Sequence, residues 1–247
     1  MCFKTRGALI VLEGCDKAGK STQTKLLMDA LKQYDIPAKQ RTFPDRTTPI
    51  GTIINDFLNK KLNFPPETAH LLFSANRWEC KEEILKSLYS GTSVVIDRYA
   101  ASGAAYTAAT TGKCLSWCKE PDKGLPSPDI VILLNVSSES QSLRHNWGDE
   151  RFENTELQLC VASNYKKLID KTWCVINADD DKSVIHSQIL HKVLNVINHI
   201  KNLPLILQML LFLSSFRPVD IFEKCYEECK KTLNIKSLEI HLMNLIV

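Results

Sequence analysis

A run of eight residues near the start of the chain has the composition of a phosphate-binding loop. Residues 14–21 read Gly-Cys-Asp-Lys-Ala-Gly-Lys-Ser and satisfy the pattern G-x-x-x-x-G-K-[ST]. Glycines let successive backbone N–H groups turn inward around a phosphate, at a helix N-terminus whose dipole favours anions. Lys20 would add positive charge on the outer phosphates, and Ser21 would ligate Mg²⁺. The alternative is a glycine turn that only caps a helix, but a buried strand before the pattern and a helix after it favour nucleotide binding.

A second pair of charged residues, Asp97-Arg98, follows another apolar run. The carboxylate would organise Mg²⁺ through water, and the guanidinium would neutralise a phosphate during its transfer. The alternative is an ordinary surface ion pair. Because both motifs follow apolar runs, we expect them at the same edge of one sheet, which favours the functional interpretation.

Five short apolar runs predict the strands that position these motifs. Helical segments separate each pair of runs, so the sequence predicts an α/β three-layer sandwich with a five-stranded parallel sheet and helices on both faces. In such sheets the ligand binds beyond the carboxyl ends of the strands. The predicted strands lie at 8–12, at a segment ending with 41–43, and at 94–96, 130–134 and 173–176.

Two helical segments between the predicted strands have clear apolar faces. Residues 50–58 carry one, and Pro65-Pro66 begins a second segment whose apolar residues continue to Gly91. Proline is tolerated in a first helical turn. We therefore predict one long helix between Pro66 and Gly91.

Composition limits the possible partners and the compartment. The 247 residues include 31 basic and 28 acidic ones, a net charge of +3, which is too balanced for an electrostatic nucleic-acid binder. The nine cysteines are dispersed and no secretory signal is evident, so we expect reduced thiols and a cytoplasmic location, with nuclear or mitochondrial pools left open. Two Cys-x₃-Cys pairs, Cys114/Cys118 and Cys225/Cys229, leave a four-thiolate zinc site as a disfavoured alternative.

The composition changes near residue 203, so we expect a domain over 1–202 and an atypical C-terminal tail over 203–247. The apolar stretch 203–216 is shorter than the roughly 20 residues of a membrane span, so we predict none. The tail as a whole carries five acidic and five basic residues. Loose packing as an aberrant terminus is the favoured interpretation, because the apolar stretch lacks a basic face; an amphipathic segment for a partner or a membrane surface is the alternative.

Several motifs occur along the chain besides the phosphate loop. They are Leu12-Glu13-Gly14, Phe43-Pro44-Asp45-Arg46, Leu72-Phe73-Ser74-Ala75-Asn76-Arg77-Trp78-Glu79, Asp97-Arg98-Tyr99 and Gly124-Leu125-Pro126-x-Pro128-Asp129. These motifs occur together, and in this order, in thymidylate kinases. The chain resembles the eukaryotic branch of that family of P-loop nucleoside-monophosphate kinases over about residues 6–200.

The resemblance implies a P-loop NTPase-type fold and phosphoryl transfer from ATP to dTMP, giving dTDP for dTTP biosynthesis. It also implies Mg²⁺ as cofactor and a homodimer. Two alternatives stay open from the sequence. One is another nucleoside-monophosphate or deoxynucleoside kinase, and the other is a catalytically impaired nucleotide-binding homologue.

The resemblance also implies roles for individual residues. Asp16 would accept a hydrogen bond from the sugar 3′-hydroxyl, Phe73 would stack on thymine beside Phe43, and Arg77 would reach a base carbonyl. The implied catalytic set is Lys20, Arg98, Asp97, Lys17 and Arg46. The implied ATP contacts are Gly14, Asp16, Lys17, Ala18, Gly19, Lys20, Ser21, Thr22, Arg98, Arg144 and Lys182. The implied dTMP contacts are Asp16, Phe43, Arg46, Phe73, Arg77, Arg98, Ser102, Gly103, Tyr106, Phe152 and Gln158. Ser21 and Asp97 would hold the Mg²⁺, partly through water.

A charged segment over about 143–155 matches the mobile lid of the family, and three residues depart from the family pattern. Lys17 stands where an arginine is usual, and lysine keeps the charge but loses the bidentate fork. Phe152 replaces a tyrosine, and Ala101 replaces an aromatic residue beside the substrate pocket. We expect Lys17 to lower turnover, and the other two to affect selectivity for sugar and base.

Overall fold

The fold is a single five-stranded sheet between two layers of helices. The computed structural model describes residues 5–143 and 150–202 of the chain. All strands run parallel in the order β2-β3-β1-β4-β5, which confirms the predicted sheet. The strands are β1 (Leu9–Glu13), β2 (Ala38–Thr42), β3 (Ser93–Asp97), β4 (Ile130–Asn135) and β5 (Trp173–Asn177).

The helices follow the strands in alternation, as the sequence predicts. A single 3₁₀ turn, Glu120–Asp122, lies among them. The helices are α1 (Lys20–Gln33), α2 (Pro49–Leu58), α3 (Pro66–Glu79), α4 (Lys81–Tyr89), α5 (Ala100–Thr111), α6 (Leu115–Lys119), α7 (Ser138–Ser142), α8 (Thr155–Leu168) and α9 (Lys182–Asn202).

The central strand β1 is buried on both faces, because successive side chains of a strand point to opposite sides of a sheet. Ile10 and Leu12 pack with α1 and α9, whereas Leu9 and Val11 pack in a second cluster that includes α4. Helices α5 and α8 cover another part of that second face through Ala105, Val161 and Tyr165. This two-sided burial explains why the strands read as unbroken apolar runs.

The prediction of one long helix over 66–91 is wrong, because the chain turns at Cys80 between α3 and α4. Cys80 has φ −92° and ψ −5°, and its N–H bonds to the carbonyls of Arg77 and Trp78. Apolar residues on both sides of the break, Trp78 and Ile84, still contact one cluster. The apolar periodicity therefore continues across the break and does not reveal it.

The parallel register brings the two charged motifs to one edge of the sheet. Leu12 of β1 pairs with Asp97 of β3, so the phosphate loop and Asp97-Arg98 leave the sheet side by side. Among residues 5–143 and 150–202, no helix is both long and apolar enough to cross a membrane. The tail at 203–247 lies outside the described residues, so the domain boundary at 202 stays a prediction.

Candidate active site

The phosphate loop connects β1 to α1 in a tight turn that requires glycine at its start. Gly14 has φ +146°, and a Cβ there would lie 2.6 Å from the carbonyl oxygen of Leu134 on the neighbouring strand. Gly19, immediately before α1, has φ +94°. Lys17, between them, also has a left-handed backbone, with φ +57°. The loop thus leads directly to the N-terminus of a 14-residue helix, where anions bind favourably.

Lys20 lies folded against this loop. Its ammonium group donates to the carbonyl of Gly14 at 3.2 Å and to that of Cys15 at 2.7 Å, and only 5% of the residue is exposed. Burial, with a smaller contribution from the Arg98 charge, lowers its pKa to about 8, although the carboxylates of Asp97, Asp16 and Glu13 oppose the shift. Lys20 therefore remains mainly protonated at neutral pH, pointing at the centre of the loop.

A hydroxyl and a carboxylate meet where α1 begins. The Ser21 hydroxyl donates to Oδ2 of Asp97 at 2.6 Å, and Asp97 is buried at the end of β3. Oxygen ligands of this kind suit a small hard cation such as Mg²⁺. The two residues predicted for the metal are therefore in contact, and their chemistry fits the ion.

Arg98 joins the end of β3 to the phosphate loop. It has φ +67°, donates to the Gly14 carbonyl at 3.1 Å and forms an ion pair with Asp16. Burial alone would raise the pKa of Asp16, but the charges of Arg98 and Lys20 and hydrogen bonds from Tyr106 and Gln158 outweigh it. The pKa of Asp16 therefore lies below its ordinary value, and the carboxylate stays ionised beside the arginine.

Arg77 is a further buried cation of the site, and only 2% of the residue is exposed. Asp122 accepts from its Nε at 3.0 Å and from its Nη2 at 2.7 Å, and also from the Ser74 hydroxyl at 2.7 Å. Gly103 faces this guanidinium so closely that a Cβ would lie 2.5 Å from Nη2. Glycine at 103 is what leaves room for the arginine.

The described part of the predicted lid closes over the site with charged and aromatic contacts. Glu150 bonds to Arg46 at 2.7 Å, and Glu153 bonds to Lys17 at 3.1 Å. The Phe152 ring lies 6.0 Å from that of Phe57 and 5.8 Å from that of Tyr106. Residues 144–149, and with them the predicted ATP contact of Arg144, lie outside the described residues.

These groups surround one cavity of about 740 Å³. Most of the predicted site residues line it: Asp16, Lys17, Gly19, Lys20, Ser21, Thr22, Phe43, Arg46, Phe73, Arg77, Asp97, Arg98, Ser102, Gly103, Tyr106 and Phe152. Gly14 and Ala18 belong to the loop without lining the cavity, and Nε2 of Gln158 donates to Oδ2 of Asp16 at 2.6 Å. Lys182 begins α9, where its carbonyl accepts from Gln23, and it does not border this cavity.

The match to known proteins agrees with this geometry. A sequence profile described as thymidylate kinase matches residues 12–189. The chain belongs to the thymidylate kinase family. Thymidylate kinases of Danio rerio and Homo sapiens are 43% and 42% identical to it over 196 and 187 residues, which cover 78% and 74% of this chain and 92% and 88% of those proteins. A solved thymidylate kinase from Candida albicans matches with a TM-score of 0.72 at 36% identity, covering 79% of this chain and 94% of that one.

As a thymidylate kinase, the protein is a nucleoside-monophosphate kinase that phosphorylates dTMP with ATP as the phosphate donor. The predicted family, fold class and activity are thereby confirmed. The same matches favour dTMP over the alternative acceptors.

Sequence reasoning assigned no role to three buried residues of this thymidylate kinase. Asp122 holds Arg77, and Gln141 contacts the phosphate loop. Glu13, fully buried, accepts from the backbone N–H of Tyr99 at 2.9 Å and that of Ser102 at 3.1 Å, fixing the start of α5 beside the cavity. Glu13 is the last residue of β1 and directly precedes the phosphate loop, and this place in the sequence was the available signal. The other two act through contacts that no local pattern reveals.

The departures from the family pattern have different surroundings. Lys17 lines the cavity and pairs with the lid, and Phe152 packs against aromatic rings. Ala101 packs near Ala105 and Val161 instead, away from the described wall of the cavity. An effect of Ala101 on selectivity would therefore act through this packing, because the residue is not among those that line the cavity.

Proposed function

We propose that the residues lining this cavity align the γ-phosphate of ATP with the phosphate of dTMP. The observation that carries the proposal is that the phosphate loop and three arginines, Arg46, Arg77 and Arg98, line one cavity together with Phe73. Phosphoryl transfer depends on positioning and on positive charge around the transferring group. One cavity lined by these cations and by an aromatic ring supplies both.

On the donor side, the loop amides, Lys20 and Thr22 hold the ATP phosphates at the start of α1. Lys17 contacts the transferring phosphoryl group. Its positive charge balances the negative charge that develops on the phosphoryl oxygens in the transition state. Arg144 is a proposed contact to ATP, and Lys182 is the proposed contact to its purine. These two assignments rest on the family resemblance alone.

On the acceptor side, Arg46 and Arg98 grip the dTMP phosphate, because guanidinium forks match the geometry of phosphate oxygens. Asp16, kept ionised by Arg98, accepts from the sugar 3′-hydroxyl. Phe73 stacks on the base beside Phe43, and Arg77 donates to a base carbonyl. The remaining dTMP contacts proposed are Ser102, Gly103, Tyr106, Phe152 and Gln158.

We extend the proposal to Mg²⁺, held by Ser21 and, through water, by Asp97. Their oxygens already share a hydrogen bond of 2.6 Å at the edge of the loop, so both point at one place. When bound, the ion neutralises charge on the phosphate oxygens. Asp97 and Ser21 would fix the position of the ion's positive charge.

The assembly and location of the enzyme are also proposals. A homodimer is supported by two exposed apolar side chains on neighbouring helices, Ile53 of α2 and Leu71 of α3. Light scattering of the purified chain tests it, with a Leu71→Glu variant expected to be monomeric. Cytoplasmic residence stays a prediction, and imaging of the tagged full chain tests it.

A coupled ADP-release assay over dTMP, dUMP, dCMP and thymidine tests the proposed function. We expect dTMP to be the best acceptor, and Arg98→Ala to lose roughly 10²-fold or more in kcat, the scale for removing a group that stabilises transition-state charge. Lys39→Ala, which removes an exposed cation on β2, is the matched control and should retain activity. Equal rates for wild type and Arg98→Ala would refute the assigned role.

A further inference from the structure

We propose that Gln141 is a positioning residue that fixes the phosphate loop at Asp16 and thereby sets the position of Lys17. The proposal deepens the proposed function and rests on it. Gln141 belongs to α7, a helix of only five residues that follows β4, and the side chain is 4% exposed. It stands two residues before the predicted start of the lid.

Gln141 and Gln158 clamp Asp16 from the two helices that flank the lid. The Gln141 amide donates to the Asp16 carbonyl at 2.7 Å and to Oε1 of Gln158 at 3.2 Å. Oε1 of Gln158 in turn accepts from the Asp16 N–H at 2.9 Å. Both backbone polar groups of Asp16 are therefore bound by buried side-chain amides rather than by secondary structure.

The orientation of both amides is determined by their partners. The Asp16 N–H is only a donor, so Oε1 of Gln158 must face it, and Nε2 then donates to Oδ2 of Asp16 at 2.6 Å. Gln141 must present its nitrogen, because both of its partners are acceptors. Nε2 of Gln158 also donates to the Phe152 carbonyl at 2.9 Å, which extends the network into the lid. Buried hydrogen-bond networks of this kind restrict the groups that they join to one geometry.

The geometry that needs support is the backbone of Lys17. The Asp16 carbonyl belongs to the peptide unit that joins Asp16 to Lys17, and Lys17 has φ +57°. A left-handed backbone conformation costs a non-glycine residue on the order of 1–2 kcal/mol of free energy. The conformation persists only when the surrounding structure imposes it. The Gln141 bond holds the peptide on one side of Lys17, and the Glu153 ion pair holds its side chain.

A loss of Gln141 should therefore lower kcat more than it changes KM. Lys17 is assigned to the transferring phosphoryl group, and an interaction made mainly in the transition state appears in kcat. We expect Gln141→Ala to lower kcat about tenfold, with KM for dTMP changing less than about threefold, in keeping with one lost hydrogen bond. Gln141→Glu, which cannot donate and adds a charge beside two acceptors, should lose more.

The matched control is Ser142→Ala, the adjacent exposed residue of α7, whose hydroxyl donates to the Glu139 carbonyl of the same helix. It should retain the wild-type kcat. Thermal unfolding of all variants separates loss of folding from loss of position. If Gln141→Ala matches wild type in kcat, or if Ser142→Ala falls as far, the positioning role is wrong.

A double-mutant cycle with Lys17→Ala separates an effect of Gln141 through Lys17 from a general structural effect of Gln141. If Gln141 acts through Lys17, then Gln141→Ala should cost about tenfold in the wild-type background but less than about twofold in Lys17→Ala. An equal cost in both backgrounds would overturn the proposal.

Calorimetry with a non-hydrolysable ATP analogue distinguishes failure of this proposal from failure of the proposed function. If wild type fails to phosphorylate dTMP, the assigned function is wrong, while the loop can still be probed by binding. We then expect Gln141→Ala to weaken analogue binding at least threefold relative to Ser142→Ala. Unchanged binding in that case would refute the role of Gln141 independently.

Discussion

Replacing Asp122 with asparagine tests how Asp122 holds Arg77, the proposed contact to the base, in the wall of the cavity. Asp122 and Arg77 have side-chain exposures of 4% and 3%, so the pair is shielded from water. Asparagine has nearly the same shape but carries no charge. It keeps one oxygen for Nε of Arg77 and the Ser74 hydroxyl, and it places an amide N–H₂ group against Nη2 of Arg77, where the 2.7 Å bond now ends.

The expected loss of stability follows from which contacts survive. Breaking a buried ion pair from one side costs about 3–5 kcal/mol, because an uncompensated charge remains. Since asparagine retains the bonds made by one carboxylate oxygen, we expect the lower end, about 3 kcal/mol. Arg77 would also lose its fixed orientation. The proposed contact of Arg77 with the base would be made in ground and transition states alike, so KM for dTMP should rise about tenfold with kcat changed less.

Urea unfolding at equilibrium and steady-state kinetics measure these two effects. The midpoint of unfolding should fall while the slope with urea stays constant. Glu120→Gln is the matched control, because its ion pair with Lys123 lies in the same turn but is largely exposed, and we expect no measurable change. A loss below about 1 kcal/mol together with an unchanged KM for Asp122→Asn would refute the argument that burial makes this pair essential.

Three further predictions concern turnover, pH and the tail. Lys17→Arg should raise kcat, with Lys25→Arg on exposed surface as control, and an equal or lower kcat would refute the idea that the lysine limits turnover. Burial lowers the pKa of His70 below its ordinary 6.5, so the unfolded chain binds more protons in acid and stability falls as pH drops below about 6.5. In His70→Gln, the free energy of unfolding measured with urea should fall less steeply between about pH 7.5 and 5.5. An unchanged dependence of this free energy on pH would refute the role of His70. A chain that ends at Lys201 should keep its activity, whereas loss of folding would show that residues 203–247 belong to the core.

The sequence predicts those parts of the fold and site that depend on contiguous residues. The phosphate loop is one run of eight residues between a strand and a helix, and Asp97-Arg98 directly follows β3. Strand positions follow from burial on both faces, which produces unbroken apolar runs. Each of these features is determined by residues that are adjacent in the sequence, so the sequence reveals it.

The parts that could not be predicted depend on contacts between distant positions. Asp122 lies 45 residues from Arg77, and Gln141 lies 125 residues from Asp16. Helix α7 has five mostly polar residues and no apolar periodicity, so nothing local marks Gln141 as buried. The turn at Cys80 is hidden for a related reason, because the helices on either side pack on one cluster.

Charge compensation at the site explains why composition gave no sign of a strongly basic surface. Three cavity cations each have a carboxylate partner: Arg46 with Glu150, Lys17 with Glu153, and Arg98 with Asp16. The Arg46 pair is well exposed, so it contributes little and a phosphate would replace Glu150 at low cost. The ion pair of Arg98 with Asp16 is more buried, and Gln158 also binds the Asp16 carboxylate. This ion pair should therefore persist when substrate binds, and the remaining N–H groups of Arg98 can donate to the phosphate. Under the proposed roles, Glu150 exchanges with phosphate while Glu153 and Asp16 stay with their cations, which lets a chain of net charge +3 concentrate positive charge only where two phosphates meet.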